Sequence, residues 1–379
     1  MNAFVQRLSV GDANGPTIAI KDCIDIAGWP TRSGSAALAD APDARADAAA
    51  VRALLDAGWH IVGKTTMHEL AYGMSGVNRW AGTPLNPQDP SLITGGSSSG
   101  SAAAVGAGEV DAALGSDTGG SIRLPAACCG VIGLKPTFGR VDRRGAQPPV
   151  SSLDCVGPFT REMNVMNLVM AALAPGFDGA AAGTPLAGAR IGVVTTDADP
   201  AIEAAVAAAL QASGWQCGPR ALPGLQAAFE AGLTVINRET WAAFGHLVAT
   251  GKVGADVAQR LQAASATTAA DLQAAERVRE AFSLEVERAL LDVDALVLPT
   301  LPRLPPSLAD IEDGLSIVTL SRLVRPFNLS GHPALSFPVP LAKGALTTGL
   351  QLVGRKGEDE RLCALALHLE RCLATQHTR

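Results

Sequence analysis

Aromatic and charged residues are scarce in this sequence. Aromatic side chains make up 4% of the 379 residues, with Tyr72 the single tyrosine, and charged residues 17%. Few aromatics and a net charge of −6 speak against the basic, stacking surfaces that bind nucleic acids. No apolar run reaches the 18 or so residues of a membrane span; the longest candidate, 101–115, is broken by Gly106, Gly108, Glu109 and Asp111. The opening Met-Asn-Ala-Phe-Val-Gln-Arg lacks the basic and apolar regions of a secretory signal. Seven cysteines without a CxxC spacing, and six scattered histidines, offer neither a zinc nor a redox motif. Reduced thiols, a cytoplasmic location and no metal or cofactor are the expectations, with neither nucleic acid nor membrane as partner.

What the chain has in quantity is small and aliphatic residues. At 47% hydrophobic it can bury a large core. Short apolar runs at 17–20, 189–195, 295–299 and 349–353 predict buried strands. They alternate with Ala-rich amphipathic stretches at 47–57, 200–213, 278–291 and 359–373 that predict helices. This alternation points to an α/β fold: one domain over residues 1–379, with a mixed, mostly parallel central sheet covered by helices on both faces. A small-residue linker is expected at 176–188, and no internal repeat is visible.

Chemistry concentrates in residues 95–136, GGSSSGSAAAVGAGEVDAALGSDTGGSIRLPAACCGVIGLKP, where two Gly/Ser clusters flank an apolar stretch. Glycine admits backbone conformations closed to other residues, so such clusters mark turns that approach a ligand. Three readings compete. A phosphate-binding loop fits the Gly-rich turn ahead of a helix, but GxxxxGK[ST] is missing. A nucleophile elbow fits Gly96-Ser97-Ser98-Ser99-Gly100 with Ser98 as nucleophile and Asp310 or Glu312 with His332 downstream, although 90–94 makes a poor strand. The third is a Ser–Ser–Lys site.

The third reading rests on a resemblance. The blocks 95–100, 115–125 and 133–136 are similar to the signature of the amidase signature family of serine hydrolases. TIAIKD (17–22), VGKTTMHE (62–69), SLDCVGP (152–158), NLSGHPALSFP (328–338) and GLQLVGRKG (349–357) extend the similarity in order along the chain. The resemblance implies Ser121 as nucleophile, Ser97 as a bridging serine held by a cis peptide, and Lys21 as the base. Lys64, in its own block, is the competing lysine. Backbone N–H groups of Thr118, Gly119, Gly120 and Ser121 are implied as an oxyanion hole, with Asp117 and Arg123 supporting the loop. A lesser alternative has Arg123 touching an acidic substrate. The catalytic part is placed at about 17–160, with the remainder completing sheet and pocket.

The residue types suit the chemistry. A serine hydroxyl is a weak nucleophile until a base takes its proton. Lysine acts as that base only when neutral, which burial after an apolar strand favours. The implied activity is hydrolysis of small aryl or aliphatic amides to acid plus ammonia or amine, with no cofactor and a small-molecule amide as partner. Met67, Tyr72 and Met74 read either as core or as the apolar wall of an acyl pocket, with residues near 311–323 facing them. Members of the family usually carry a helical region ahead of the lysine block, whereas Lys21 lies almost at the start here. That departure bears against a family-like dimer interface and a deep substrate channel, although a homodimer stays among the expected partners. The alternatives are a non-catalytic binding or scaffold member and an amidotransferase-type subunit.

Overall fold

In the computed structural model, which describes residues 2–342 and 346–376, the chain builds one eleven-stranded sheet. The first six strands are β1 (Phe4–Gly11), β2 (Thr17–Lys21), β3 (His60–Thr65), β4 (Ala112–Asp117), β5 (Ile132–Lys135) and β6 (Cys155–Thr160). The second half adds β7 (Arg190–Val194), β8 (Gln216–Arg220), β9 (Ala295–Pro299), β10 (Ala334–Pro340) and β11 (Thr347–Val353). Their spatial order is β1-β3-β2-β4-β6-β5-β10-β11-β9-β7-β8.

The sheet is mixed, but the expectation of a mostly parallel one is corrected. Parallel pairing is confined to β2 with β3 and β4, and to β7 with β8 and β9. Every pairing from β4 through β6, β5, β10 and β11 to β9 is antiparallel, as is β1 with β3. Alternating strands and helices suggested crossovers throughout. In the middle of the sheet, strands such as β10 and β11 instead pair directly with a sequence neighbour, without a crossover helix between them.

Helices cover both faces because the central strands are apolar on both. In β2, Ile18 and Ile20 join the large core cluster under helices Met163–Leu173 and Asp359–Gln376. Ala19 joins a second cluster, with Ala102–Val105 and Ala126 from helices Ser99–Gly106 and Arg123–Cys129. In β9 the same alternation sends Ala295 and Val297 one way, and Leu296 and Leu298 toward helices Leu225–Phe244 and Ala269–Ala289.

The expected strands and helices at 17–20, 189–195, 200–213, 295–299, 349–353 and 359–373 correspond to observed elements within a few residues. The helix expected at 278–291 is the C-terminal part of the longer Ala269–Ala289, and the linker at 176–188 contains the short helix Gly179–Ala182. Among the described residues no helix is long and apolar enough to cross a membrane.

Candidate active site

Parallel β2, β3 and β4 end together, and α/β sheets tend to place their sites just beyond such carboxyl ends. Lys21 is the last residue of β2 and Asp117 the last of β4. Three fully apolar residues, Ile18–Ile20, carry the lysine into the interior, where it is completely buried. Its Nζ lies 2.8 Å from Ser97 Oγ, 2.9 Å from Ser116 Oγ and 3.5 Å from the Ser116 carbonyl. Burial lowers the Lys21 pKa, against the opposing pull of Cys23, Asp154 and Asp117. None of these acids is within ion-pair distance, so the ammonium has hydroxyl and carbonyl neighbours but no paired carboxylate among the described residues.

Lys64, the competing lysine, is equally buried but differently held. Its Nζ donates to the Pro30 carbonyl at 2.7 Å and Thr31 Oγ1 at 2.9 Å, and forms an ion pair with Asp22 Oδ1 at 3.2 Å. It stands in β3, one residue before the strand ends. A lysine locked to a carboxylate and a carbonyl braces the turn around Asp22; among the described residues it makes no hydrogen bond to either Gly/Ser cluster.

The two clusters meet in space. Ser98 N–H donates to the Ser121 carbonyl at 3.3 Å, and Ser98 Oγ donates to the Ser116 carbonyl at 3.1 Å. The Gly96–Ser97 peptide is cis, and the Ser97 carbonyl accepts from His68 N–H at 3.0 Å. Ser97 is fully buried, whereas Ser121 retains 4% of its surface. Ser98 is spent on the backbone, and its elbow partners are elsewhere: Asp310 caps an exposed helix with Ser307, and His332 Nδ1 lies 3.0 Å from Ser330 Oγ.

Asp117 shapes the loop that presents Ser121. Its carboxylate accepts from Gly120 N–H at 2.7 Å, Ile122 N–H at 3.1 Å and Arg123 N–H at 3.4 Å, and from Asn328 Nδ2 at 2.8 Å. Burial alone would push this carboxyl up; Arg123, Asn328 and Lys135 hold it well below the usual range. Gly120 adopts φ +113°, and a Cβ there would stand 2.3 Å from Val324 Cγ2, so only glycine fits this turn. The amides of Thr118, Gly119 and Ser121 have no protein acceptor among the described residues. The Gly120 amide, expected to face a substrate oxygen with them, is occupied by Asp117. The physical reason is the tight positive-φ turn, which directs this N–H back at the carboxylate that stabilises it.

Arg123 is saturated. Its Nε and Nη2 grip Asp117 at 3.0 Å each, Nη1 donates to the Val324 carbonyl and Gln351 Oε1 at 2.7 and 2.8 Å, and Nη2 also to Asn328 Oδ1 at 2.6 Å. A guanidinium has five N–H donors, and all are used. Arg123 therefore supports the loop and has no donor left for a substrate.

A family model for amidases matches residues 7–363. The chain belongs to the amidase signature family. It is 34% identical over 404 residues to a component of the glutamyl-tRNA(Gln) amidotransferase of Methanospirillum hungatei, covering 95% of this chain and 93% of that protein. It is 32% identical to a fatty acid amide hydrolase of Medicago truncatula, over 97% of this chain and 67% of the relative. Among solved structures, a crystal structure of an amidase superposes with TM-score 0.84 at 34% identity, over 94% of this chain and 84% of that one.

With the amidase framework in place, the expected pocket residues separate. Met74 lines the loop: its Cε would lie 3.5 Å from a Cβ on Gly119. Met67 is fully buried in the large core cluster, its carbonyl held by Asn78 Nδ2 at 2.8 Å. Tyr72 donates its hydroxyl to Asn237 Oδ1 at 2.6 Å, with the Arg260 guanidinium 4.8 Å from its ring centroid. The segment near 311–323 does approach from the facing side, since Ser321 Cβ would lie 3.9 Å from a Cβ on Gly120. Sequence reasoning missed Ile236 and Arg325, which also press on Gly119. Both come from the second half of the chain, and no motif marks them. A cavity of about 690 Å³ lined by Phe138, Arg279, Leu284, Asn328 and Lys356 opens elsewhere, and Lys21, Ser97 and Ser121 do not line it.

Proposed function

We propose that this chain is an amidase that hydrolyses the C–N bond of small carboxylic acid amides through an acyl-enzyme on Ser121. The observation that carries the reading is the contact of a buried lysine without a paired carboxylate, Lys21, to a serine hydroxyl at 2.8 Å. Burial disfavours the ammonium, and the neutral amine is a base. In this reading Ser97 passes its proton to Lys21 and takes one from Ser121. The Ser121 oxygen then attacks the amide carbon. The carbonyl oxygen gains negative charge, and in this reading the amides of Thr118, Gly119 and Ser121, which lack an acceptor among the described residues, stabilise it; one such donor is typically worth about 2.7–4 kcal/mol. The proton held on Lys21 returns through Ser97 to the leaving nitrogen, and the C–N bond breaks. Water, deprotonated by the same relay, cleaves the ester and restores Ser121.

The one-domain reading of residues 1–379 is part of this proposal, with reacting groups from the first 160 residues and pocket walls from the rest. Met74 and Ile236 supply apolar contact beside Gly119, which suits aryl or aliphatic acyl groups. The likeness to amidotransferase components favours a second reading, release of ammonia from glutamine for an acyl acceptor within a complex.

Ammonia and amine release by wild type and Ser121→Ala decides between them. Benzamide, phenylacetamide, indole-3-acetamide, malonamate, glutamine and an anilide form the panel. Ser121-dependent ammonia from several amides supports the amidase; turnover of glutamine alone supports the second reading. Turnover that survives Ser121→Ala removes Ser121 from the mechanism.

A further inference from the structure

Arg325 is a buried cation without a counter-ion among the described residues. Only 3% of its surface is exposed, and Nε and Nη1 have no hydrogen-bond partner. Nη2 donates to Ser321 Oγ at 2.8 Å, and the guanidinium stacks 4.3 Å from the Phe229 ring centroid. Gly232 leaves room for its aliphatic stem, since a Cβ there would lie 3.0 Å from Arg325 Cγ. Among the described residues no carboxylate lies within ion-pair distance of it. The neighbouring charge that acts on it is a second arginine, Arg260, itself engaged with the Tyr72 carbonyl and ring. Burial and that repulsion bring the Arg325 pKa down to about 9, which still leaves it charged at neutral pH.

The contrast with Arg123 defines the point. Both guanidinium groups are buried next to the Ser121 loop, but every donor of Arg123 is satisfied. Uncompensated buried charge is strongly destabilising, so an arginine held in this state fits a site whose counter-ion arrives with a ligand. The open donors are well placed for that. Arg325 Nε would lie 3.4 Å from a Cβ on Gly119, two residues before Ser121. An anion on Arg325 and an amide carbonyl at Ser121 can therefore belong to one short molecule.

We infer that Arg325 binds a carboxylate of the substrate, so that the enzyme selects amides bearing a carboxylate a short way from the scissile bond, the monoamides of short dicarboxylic acids. The inference rests on the amidase reading for its placement of the scissile carbonyl. Arginine suits the task, because its planar guanidinium presents several donors to a carboxylate at once and stays charged. Stacking on Phe229 and the Ser321 contact fix its orientation before the ligand enters.

The test compares kcat/KM for malonamate, succinamate and glutaramate with that for the neutral diamides of equal length. Wild type is expected to prefer its best acid over the matching diamide by about tenfold or more. Arg325→Met should bring the acid-to-diamide ratio of kcat/KM close to one, with the larger loss in KM for the acid, and Arg325→Lys should restore part of the preference. Calorimetric binding of malonate, succinate and glutarate to Ser121→Ala, with and without Arg325→Met, needs no turnover. It therefore reports on Arg325 even where the assignment of Ser121 fails. Neutral diamides preferred by wild type would overturn the inference, as would equal losses on acid and diamide in Arg325→Met. So would dicarboxylates that bind a folded Arg325→Met protein as tightly as its parent.

Discussion

Two buried lysines on neighbouring strands behave as opposites. Lys21 has hydroxyl partners and a lowered pKa, whereas Lys64 is paired with Asp22. Lys21→Ala is expected to lower kcat/KM by about 10²–10⁴-fold, the usual worth of a general base. Its removal should also abolish the rise of kcat/KM with pH, since the base works only when neutral. Lys64→Ala should instead cost stability, about 3–5 kcal/mol, by leaving Asp22 as an unpaired buried charge. Urea denaturation beside steady-state kinetics separates the two effects. Stability supplies a further check on Lys21. Its folded pKa is below its unfolded one, so the unfolded state binds more protons in that interval and wild type becomes more stable as pH rises toward 10.5. Lys21→Met lacks this dependence. Its stability relative to wild type should therefore be greater at pH 6 than at pH 9, as read from urea midpoints at the two pH values.

At the scale of elements, the Ser121 loop is a turn built on one carboxylate. Asp117 ends β4, holds three backbone amides ahead of and within helix Arg123–Cys129, and anchors Arg123. The seven-residue helix has no side-chain cap from its own N-cap residue, Ile122, and Asp117 takes that role from the strand. Asp117→Asn is expected to destabilise by about 3–5 kcal/mol, because Arg123 then keeps its burial and loses its counter-charge. Gly120→Ala should lower both melting temperature and activity: φ +113° is strained for alanine, and its Cβ would meet Val324 Cγ2 at 2.3 Å. Circular-dichroism melts and amide turnover of the two variants measure this. Normal melting and turnover in Gly120→Ala would show that the turn is softer than its geometry implies.

The whole molecule joins two sequence halves through a continuous run of antiparallel pairs, β4-β6-β5-β10-β11-β9. No seam divides that run, so thermal unfolding is expected to be a single transition. Trp29, Trp59 and Trp80 report on one half and Trp215 and Trp241 on the other, and tryptophan fluorescence should coincide with far-UV dichroism. The joining also assembles the site. Asn328 and Gln351 satisfy Arg123, Val324 closes on Gly120, and Ile236 and Arg325 reach Gly119. A motif-bearing segment of 42 residues, 95–136, thus relies on side chains about 200 positions away.

By itself the sequence determined the strand and helix alternation, the two Gly/Ser clusters and the ordered blocks that resemble the family. Each is a local pattern: apolar periodicity, runs of residues free of Cβ crowding, and short motifs legible without knowing what packs against them. The resemblance also named Lys21 ahead of Lys64 as the base, an expectation that Lys21→Ala tests. Tertiary structure decided what depends on distant partners. It showed that the middle of the sheet runs antiparallel, that the Gly120 amide belongs to Asp117, and that Met67 lies in the core while Met74 faces the loop. Arg123 and Arg325 make the same point most clearly. In sequence Arg123 lies inside a motif block and Arg325 just outside another, and neither residue type nor position tells which is spent. Whether a guanidinium is free depends on how many acceptors the rest of the chain brings within hydrogen-bond reach, and that number exists only once the chain has folded.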